Sequence, residues 1–377
     1  MAISGILNIL DRKNLRYWLP FYLAQRLNPI EALNSDLPVH LMFCVVDHFE
    51  PFNGKADFNK AQTRVKVWEE KYPEMADKFL DADNQKPRHS WFYPPHHDLR
   101  FLAALVDLCK KGYGEIEMHL HHNHMPPFPD TAHTLKKKIL KCVDDYSEHG
   151  IFCLPGGSRK FAFIHGDWSL DNARGKEYCG INNEIDILRD CGCYADFTFP
   201  SLGPAQPALI NRAYYCFDDP QSPKSYNWGE EVAVNKIVND RLLLVPGILG
   251  LRRVKGGKKI FPVIESSNID RDDCLDESRI DYLAANALRI KGRPNWLFIK
   301  LHTHGARNAD FGLPFALPVD RAHGHLNRKY NDKKRYFLHY VSAREMYNII
   351  KAAESGLDGN PNDYRNFIIP RYAYLDN

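Results

Sequence analysis

The feature that most constrains this chain is an alternation of short apolar runs with longer amphipathic stretches, several of the short runs ending in ionisable side chains. HLMFCVV (40–46), HSWFY (89–93), EIEMHL (115–120), KFAFI (160–164), YADFTF (194–199), a run at 242–246 and WLFIKL (296–301) read as strands. Helical periodicity falls near 57–80, 99–111, 131–148, 181–191 and 276–290. Strands separated by helices imply a mainly parallel sheet, because a parallel pair needs a crossover and a helix supplies it. Polar residues at the strand ends then gather at one edge, where α/β folds build their sites. The expectation is an α/β fold with the sheet curled into a barrel, complete or not.

No repeat, low-complexity tract or Gly/Ser linker interrupts the 377 residues, and the 24 prolines are scattered, so one barrel domain over 36–377 is expected, ending in a C-terminal helix. Residues 1–35 read as an N-terminal helical extension and 305–340 as a long late loop. Within the extension, FYLAQRL follows a WLP step, which suits a helix packed across the barrel or a peripheral membrane contact. Net charge is +3, and 44% hydrophobic with 26% charged residues is ordinary for a folded soluble chain and wrong for a disordered or fibrous one; nothing asks for nucleic acid. No stretch approaches the roughly 18 apolar residues of a membrane span, and the start lacks a basic segment with a cleavage site, so a cytoplasmic location is expected. Nine cysteines cannot all pair within the chain and show no paired CxxC spacing. Cys44 and Cys142 sit inside apolar runs, and the cysteines are read as buried small hydrophobes without chemistry. Oligomeric state is left open.

Histidine, at 17, carries the lead, because many of the imidazoles bunch at strand ends. Asp47-His48-Phe49-Glu50 ends the first strand, and an acid beside an imidazole there can hold a divalent metal or supply a base. Residues 119–124 hold four histidines. On a strand, Glu117, His119, His121 and Asn123 face one side and His122 and His124 the other, so His119 and His121 can reach one ion. His165-Gly166-Asp167-Trp168 ends another strand with a glycine that admits a ligand and an indole that can stack on a sugar. Asp196 reads either as an orienting partner for a catalytic His or as a satisfied strand-end acid. His302 and His304 share parity after the last strong strand, which suits a partly buried general acid with a polar partner. His89 begins a strand feeding the same mouth; His96, His97, His323 and His325 form lesser clusters.

In this order the motifs resemble the polysaccharide deacetylase superfamily, the NodB-homology group of carbohydrate deacetylases, over about residues 39–305. The resemblance implies a distorted (β/α)7 barrel. Asp47-His48 stands where the family has an Asp-Asp pair, which makes Asp47 the water-activating base and puts His48 in a metal-binding position. The family's two histidines separated by three residues fall on His119 and Asn123, with His121 and His124 as alternatives for the second ligand. His165-Gly166-Asp167-Trp168 stands at the family's groove wall, without its arginine. Asp196 lies near the motif that tunes the catalytic His, and Lys300-Leu301-His302 looks like the final Leu-x-His region, making His302 the acid that protonates the leaving amine. EIEMHLHHNH, FAFIHGDW and CGINNEIDILRDCGCYADFTFPS are similar to an uncharacterised branch.

The expected function is therefore a deacetylase-like hydrolase dependent on one divalent metal, zinc first with iron, manganese, cobalt or nickel also accommodated. Its substrate would be an N-acylated sugar in surface polysaccharide biosynthesis, the lipopolysaccharide or exopolysaccharide kind. The expected site joins Asp47 and His302 as catalytic groups, His48, His119 and His121 as ligands, and His89, His165, Asp167, Trp168, Asp196 and His304 around the substrate. Two alternatives use the same barrel: a glycosidase with a carboxylate pair drawn from Asp47, Glu50, Asp167 and Asp196, and a non-catalytic metal- or carbohydrate-binding relative.

Overall fold

The run 39–48 is apolar from Leu41 to Val46 without alternation because the strand it forms, β1 (Val39–His48), lies in mid-sheet with neighbours on both sides. The computed structural model describes residues 14–29, 31–256, 259–307 and 310–375. Beside β1 run β2 (His89–Tyr93), β3 (Gly114–Leu120), β4 (Phe161–His165) and β5 (Cys193–Asp196), each parallel to the one before. β6 (Tyr214–Cys216) and β7 (Gly229–Glu231) add an antiparallel edge through β8 (Leu243–Leu244), which pairs parallel with β5. β9 (Gly250–Gly256) and β10 (Lys259–Glu265) form a separate hairpin. Across β1 lie β13 (Arg293–Thr303), β11 (Asn268–Ile269) and the short antiparallel β12 (Leu288–Ile290).

Eight strands thus run parallel in the order β11-β13-β1-β2-β3-β4-β5-β8, confirming a mixed α/β fold on a mostly parallel sheet. Among the described residues no strand pairing closes it. Its ends nevertheless approach each other. After β8 the Ile248 N–H donates to Ser267 Oγ at 2.6 Å, just before β11, and Lys300 of β13 donates across the interior to the carbonyls of Phe197 and Phe199 beyond β5.

Helices α1 (Leu19–Leu27), α2 (Phe58–Ala76), α3 (Phe101–Lys110), α4 (Ala132–Ser147), α5 (Glu184–Asp190) and α6 (Glu277–Ala285) follow the sequence periodicity; the last ends early because 288–290 turns back as β12. Side-chain caps fix several starts: Asp57 accepts from the Lys60 N–H, Asp276 from Arg279, and Thr131 with Thr134 forms a reciprocal box. Residues 305–340 are not a long late loop. They contain α7 (Leu317–Tyr330) and β14 (Tyr336–Tyr340), and β14 pairs with the first half of β1 while β2 takes the second half. α8 (Ala343–Glu354) is tied to β3 by the buried Arg344–Glu115 ion pair at 2.7 Å. Of the extension, residues 1–13 lie outside the described residues, and α1 is the helix seen in the remainder. No helix among the described residues is long and apolar enough to cross a membrane.

Candidate metal centre at the strand mouth

Because the central strands are parallel, β1, β3, β4 and β13 all deliver their last residues to one edge. His119 and His121, two positions apart on β3 and its continuation, converge there with Nε2 atoms 3.0 Å apart. Glu50, two residues past β1, brings Oε1 to 3.2 Å from His121 Nε2 and 4.0 Å from His119 Nε2. Donors about 2.1 Å from a common tetrahedral centre lie about 3.4 Å apart, so this triangle has the dimensions of a metal face.

The far nitrogens are already committed. His119 Nδ1–H donates to the Ile164 carbonyl at 3.0 Å, and His121 Nδ1 lies 3.1 Å from Asp167 Oδ2. Such partners fix tautomer and ring angle and leave Nε2 for a metal. Gly166 lets this happen: a Cβ there would fall 2.3 Å from His121 Nδ1. The glycine noticed in the sequence therefore admits the imidazole of the same chain, not an external ligand. Asp167 and Trp168 follow it with φ of 57° and 52°, the left-handed region that non-glycine residues seldom occupy.

Electrostatics agree with the geometry. Burial pushes His119 down to about 3, so it is a neutral imidazole. Burial also opposes charge on His121, but Asp167 and Glu50 overcome it and raise the group to about 9. Glu50 resists its own burial through His121 and sits well below the usual carboxylate range. Without a metal, a proton on His121 takes the place of a cation between two carboxylates.

His48 is buried, its ring 4.9 Å from that of His119 and 4.6 Å from that of His304. Burial, reinforced by His304, His119 and His302, holds it well below the ordinary imidazole range. It neighbours the three donors without joining the cluster whose ligand atoms converge. His302 and His304 line an open cleft of about 460 Å³ with Asp167, Trp168, Arg174 and Arg307. Each keeps a buried Nδ1 without a hydrogen-bond partner, and burial keeps both neutral. A second cleft, about 470 Å³, is lined by Glu50 with His96, His97 and His124. His124 stacks on His121 with ring centroids 4.8 Å apart, whereas the Asn123 amide points away to the Glu177 carbonyl.

Four expected site residues stand elsewhere. Asp47 is fully enclosed; Oδ1 accepts the Gly305 N–H at 2.8 Å and Oδ2 meets His89 Nε2 at 2.9 Å, so the carboxylate that reaches the mouth is Glu50. His89 is buried under Trp68 and serves Asp47, out of reach of a substrate. Asp196 bonds Thr198 of its own turn and touches no imidazole. His165 turns inward, stacking on His122 in a buried cluster with Cys179 and Glu184. Sequence reading missed Glu50 as a candidate metal donor although its carboxylate was in view, since a residue beyond a strand end follows no parity. Cys179 and Glu184 fall in the string CGINNEIDIL, but as they lie in and beside irregular chain no periodicity marked them as converging donors.

A third convergent group, Asp81, Asp83 and His339, is satisfied by Arg365, Asn360 and backbone N–H groups and is a structural tie. A larger open cavity of about 680 Å³ around Arg212, Arg289 and Glu231 has no imidazole. Comparison with protein-family models and with curated proteins finds no match for this chain.

Proposed function

We propose that the protein is a divalent-metal hydrolase that removes the acyl group from an N-acylated sugar, with Glu50, His119 and His121 holding the ion. The observation that carries this reading is the two-imidazole, one-carboxylate face, whose Glu50 lines one cleft and whose His121 partner Asp167 lines another; three protein donors leave a fourth position, as catalytic sites require. A bound ion would acidify a coordinated water and polarise the acyl carbonyl. The remaining work falls to the chain. Asp167 and the Ile164 carbonyl hold the two imidazoles in register. His304, held neutral by burial on the cleft wall with its ring 4.6 Å from that of His48, takes the proton of the attacking water and returns it to the departing nitrogen. His302 flanks it on the cleft wall, and Trp168 offers a face to the sugar ring.

Membership of the polysaccharide deacetylase superfamily, with its distorted (β/α)7 barrel, is part of this proposal and rests on the motif order. The carboxylate-pair glycosidase finds less support: Asp47 and Asp196 are enclosed and bonded, while Glu50 and Asp167 share His121. The test is release of acetate or formate from N-acyl hexosamines and their oligomers by protein loaded with zinc, iron, manganese, cobalt or nickel. The proposal expects metal-dependent release that falls at least about 100-fold in His119→Ala/His121→Ala and in His304→Ala. Equal release by metal-free protein, or cleavage of the glycosidic bond instead, overturns it.

A further inference from the structure

On the reverse side of the same strand ends, His122, His165, Cys179 and Glu184 bring one donor atom each to within 4.8 Å of one another, all of them buried. They come from four separate places: the turn after β3, the last residue of β4, the irregular loop after it, and the first residue of α5. His122 Nε2 lies 3.0 Å, and His165 Nε2 3.5 Å, from Glu184 Oε1, and Cys179 Sγ lies 3.4 Å from Glu184 Oε2. Each imidazole turns its other nitrogen to an oxygen. His165 Nδ1–H donates to the Gly166 carbonyl, and His122 Nδ1 lies 3.0 Å from Asp130 Oδ2, a carboxylate itself gripped by Lys138 and Thr134. Carboxylates and carbonyls behind inward-turned imidazoles are the outer shell of metal-ligating histidines.

The protein's own hydrogen bonds leave the interior incomplete. His165 Nε2 is buried with no hydrogen-bond partner, a costly state for a polar atom with no access to water. The two rings also stack at 4.5 Å, too close for both to carry charge comfortably. A divalent ion resolves both at once, because two neutral imidazoles, a thiolate and a carboxylate supply four donors and two negative charges.

We propose that His122, His165, Cys179 and Glu184 form a second, closed metal site that takes a tetrahedral borderline ion, zinc by donor chemistry, and is structural. Two nitrogens, one sulfur and one oxygen suit zinc, and complete enclosure leaves no position for substrate. The site pins the loop that carries Asp167, Trp168 and Arg174 to the strand ends that carry His119 and His121. His121 and His122 are consecutive and point to opposite sides, so one short segment serves both ions. The inference concerns a different ion from the one in the proposed reaction and stands without it.

Cobalt(II) distinguishes the sites, because of the nine cysteines only Cys179 belongs to either. We would produce tag-free full-length protein with cobalt as the supplied metal, as wild type, as His119→Ala/His121→Ala and as Cys179→Ser. The expected result is about two cobalt equivalents in wild type and a near-ultraviolet thiolate-to-cobalt charge-transfer band. That band should persist, with about one equivalent, in the His119→Ala/His121→Ala variant, and disappear in Cys179→Ser. If Cys179→Ser does not fold, the band in the first two proteins still decides. A folded wild type with no thiolate band overturns the proposal, as does a band that vanishes with His119 and His121. Loss of hydrolysis with the band intact would count against the reaction and leave this site standing.

Discussion

At the scale of single residues, the open site depends on two positions that supply no donor atom to the ion but set the His121 ring. Asp167 sets His121 by accepting from Nδ1, so Asp167→Asn should weaken metal binding at the open site about 10- to 100-fold without unfolding the chain. Competition with a chelating dye measures this, and unchanged affinity would remove Asp167 from the account. Gly166→Ala should act more harshly, since the added carbon would fall 2.3 to 2.5 Å from three atoms of the His121 ring. The expected outcome is loss of the open-site ion with the secondary structure retained, read by metal analysis beside circular dichroism; full metal content in Gly166→Ala would show that the ring has room to move. Parity along β3 was legible in the sequence, which sends His119 and His121 to one side and His122 to the other. Depth was not. Asp47, near the expected edge, lies beneath it, and His89, at the start of β2 level with Val45, lies deeper still, because strand periodicity specifies a face and says nothing about how far down that face the solvent reaches.

Among the elements, β3 carries a buried acid that makes stability depend on pH. Glu117 accepts hydrogen bonds from Tyr194 of β5, from Tyr372 of the C-terminal tail and from the Ala162 N–H, yet burial outweighs these and pushes it up to about 8. Between the ordinary value of 4.5 and about 8 the folded chain keeps a proton that the unfolded chain has released. Stability from this group is therefore complete below the lower value and declines as pH rises, by up to about 1.4 kcal/mol per unit. Glu117→Gln should flatten that decline, which urea unfolding across the window would show; parallel curves for the two proteins would contradict the assignment. The elements read from the sequence are β1 to β5, β13 and α2 to α6, whereas β9 and β10, seven residues each, go unread because Arg252, Arg253, Lys255 and Pro262 break up any apolar run. β6, β7, β8 and β11 span two or three residues each, too few to show alternation, although the run at 242–246 marked the place of β8. The 305–340 segment reads as loop because it does not fit the strand–helix rhythm, while pairing with β1, a tertiary effect, makes 336–340 a strand.

For the whole molecule, the alternation of strands and helices sufficed to place the working edge, since parallel strands leave their polar ends on one side of the sheet. It did not specify closure. The sheet curls until Ser267 and Lys300 bridge its ends by side chains, and a pattern of local periods carries no information about that gap. The same curvature sets two groups of candidate metal donors back to back, one reaching a cleft through Glu50 and one sealed beneath the loop 166–183. The central claim is that Glu50, His119 and His121 hold a metal ion at the strand mouth. Anomalous diffraction from crystals of the full chain, recorded on either side of the absorption edge of the metal supplied, tests it directly. The account predicts a peak about 2.0–2.3 Å from His119 Nε2, His121 Nε2 and a Glu50 carboxylate oxygen. Crystals saturated in turn with zinc, iron, manganese, cobalt and nickel that show no peak between these three side chains would contradict it.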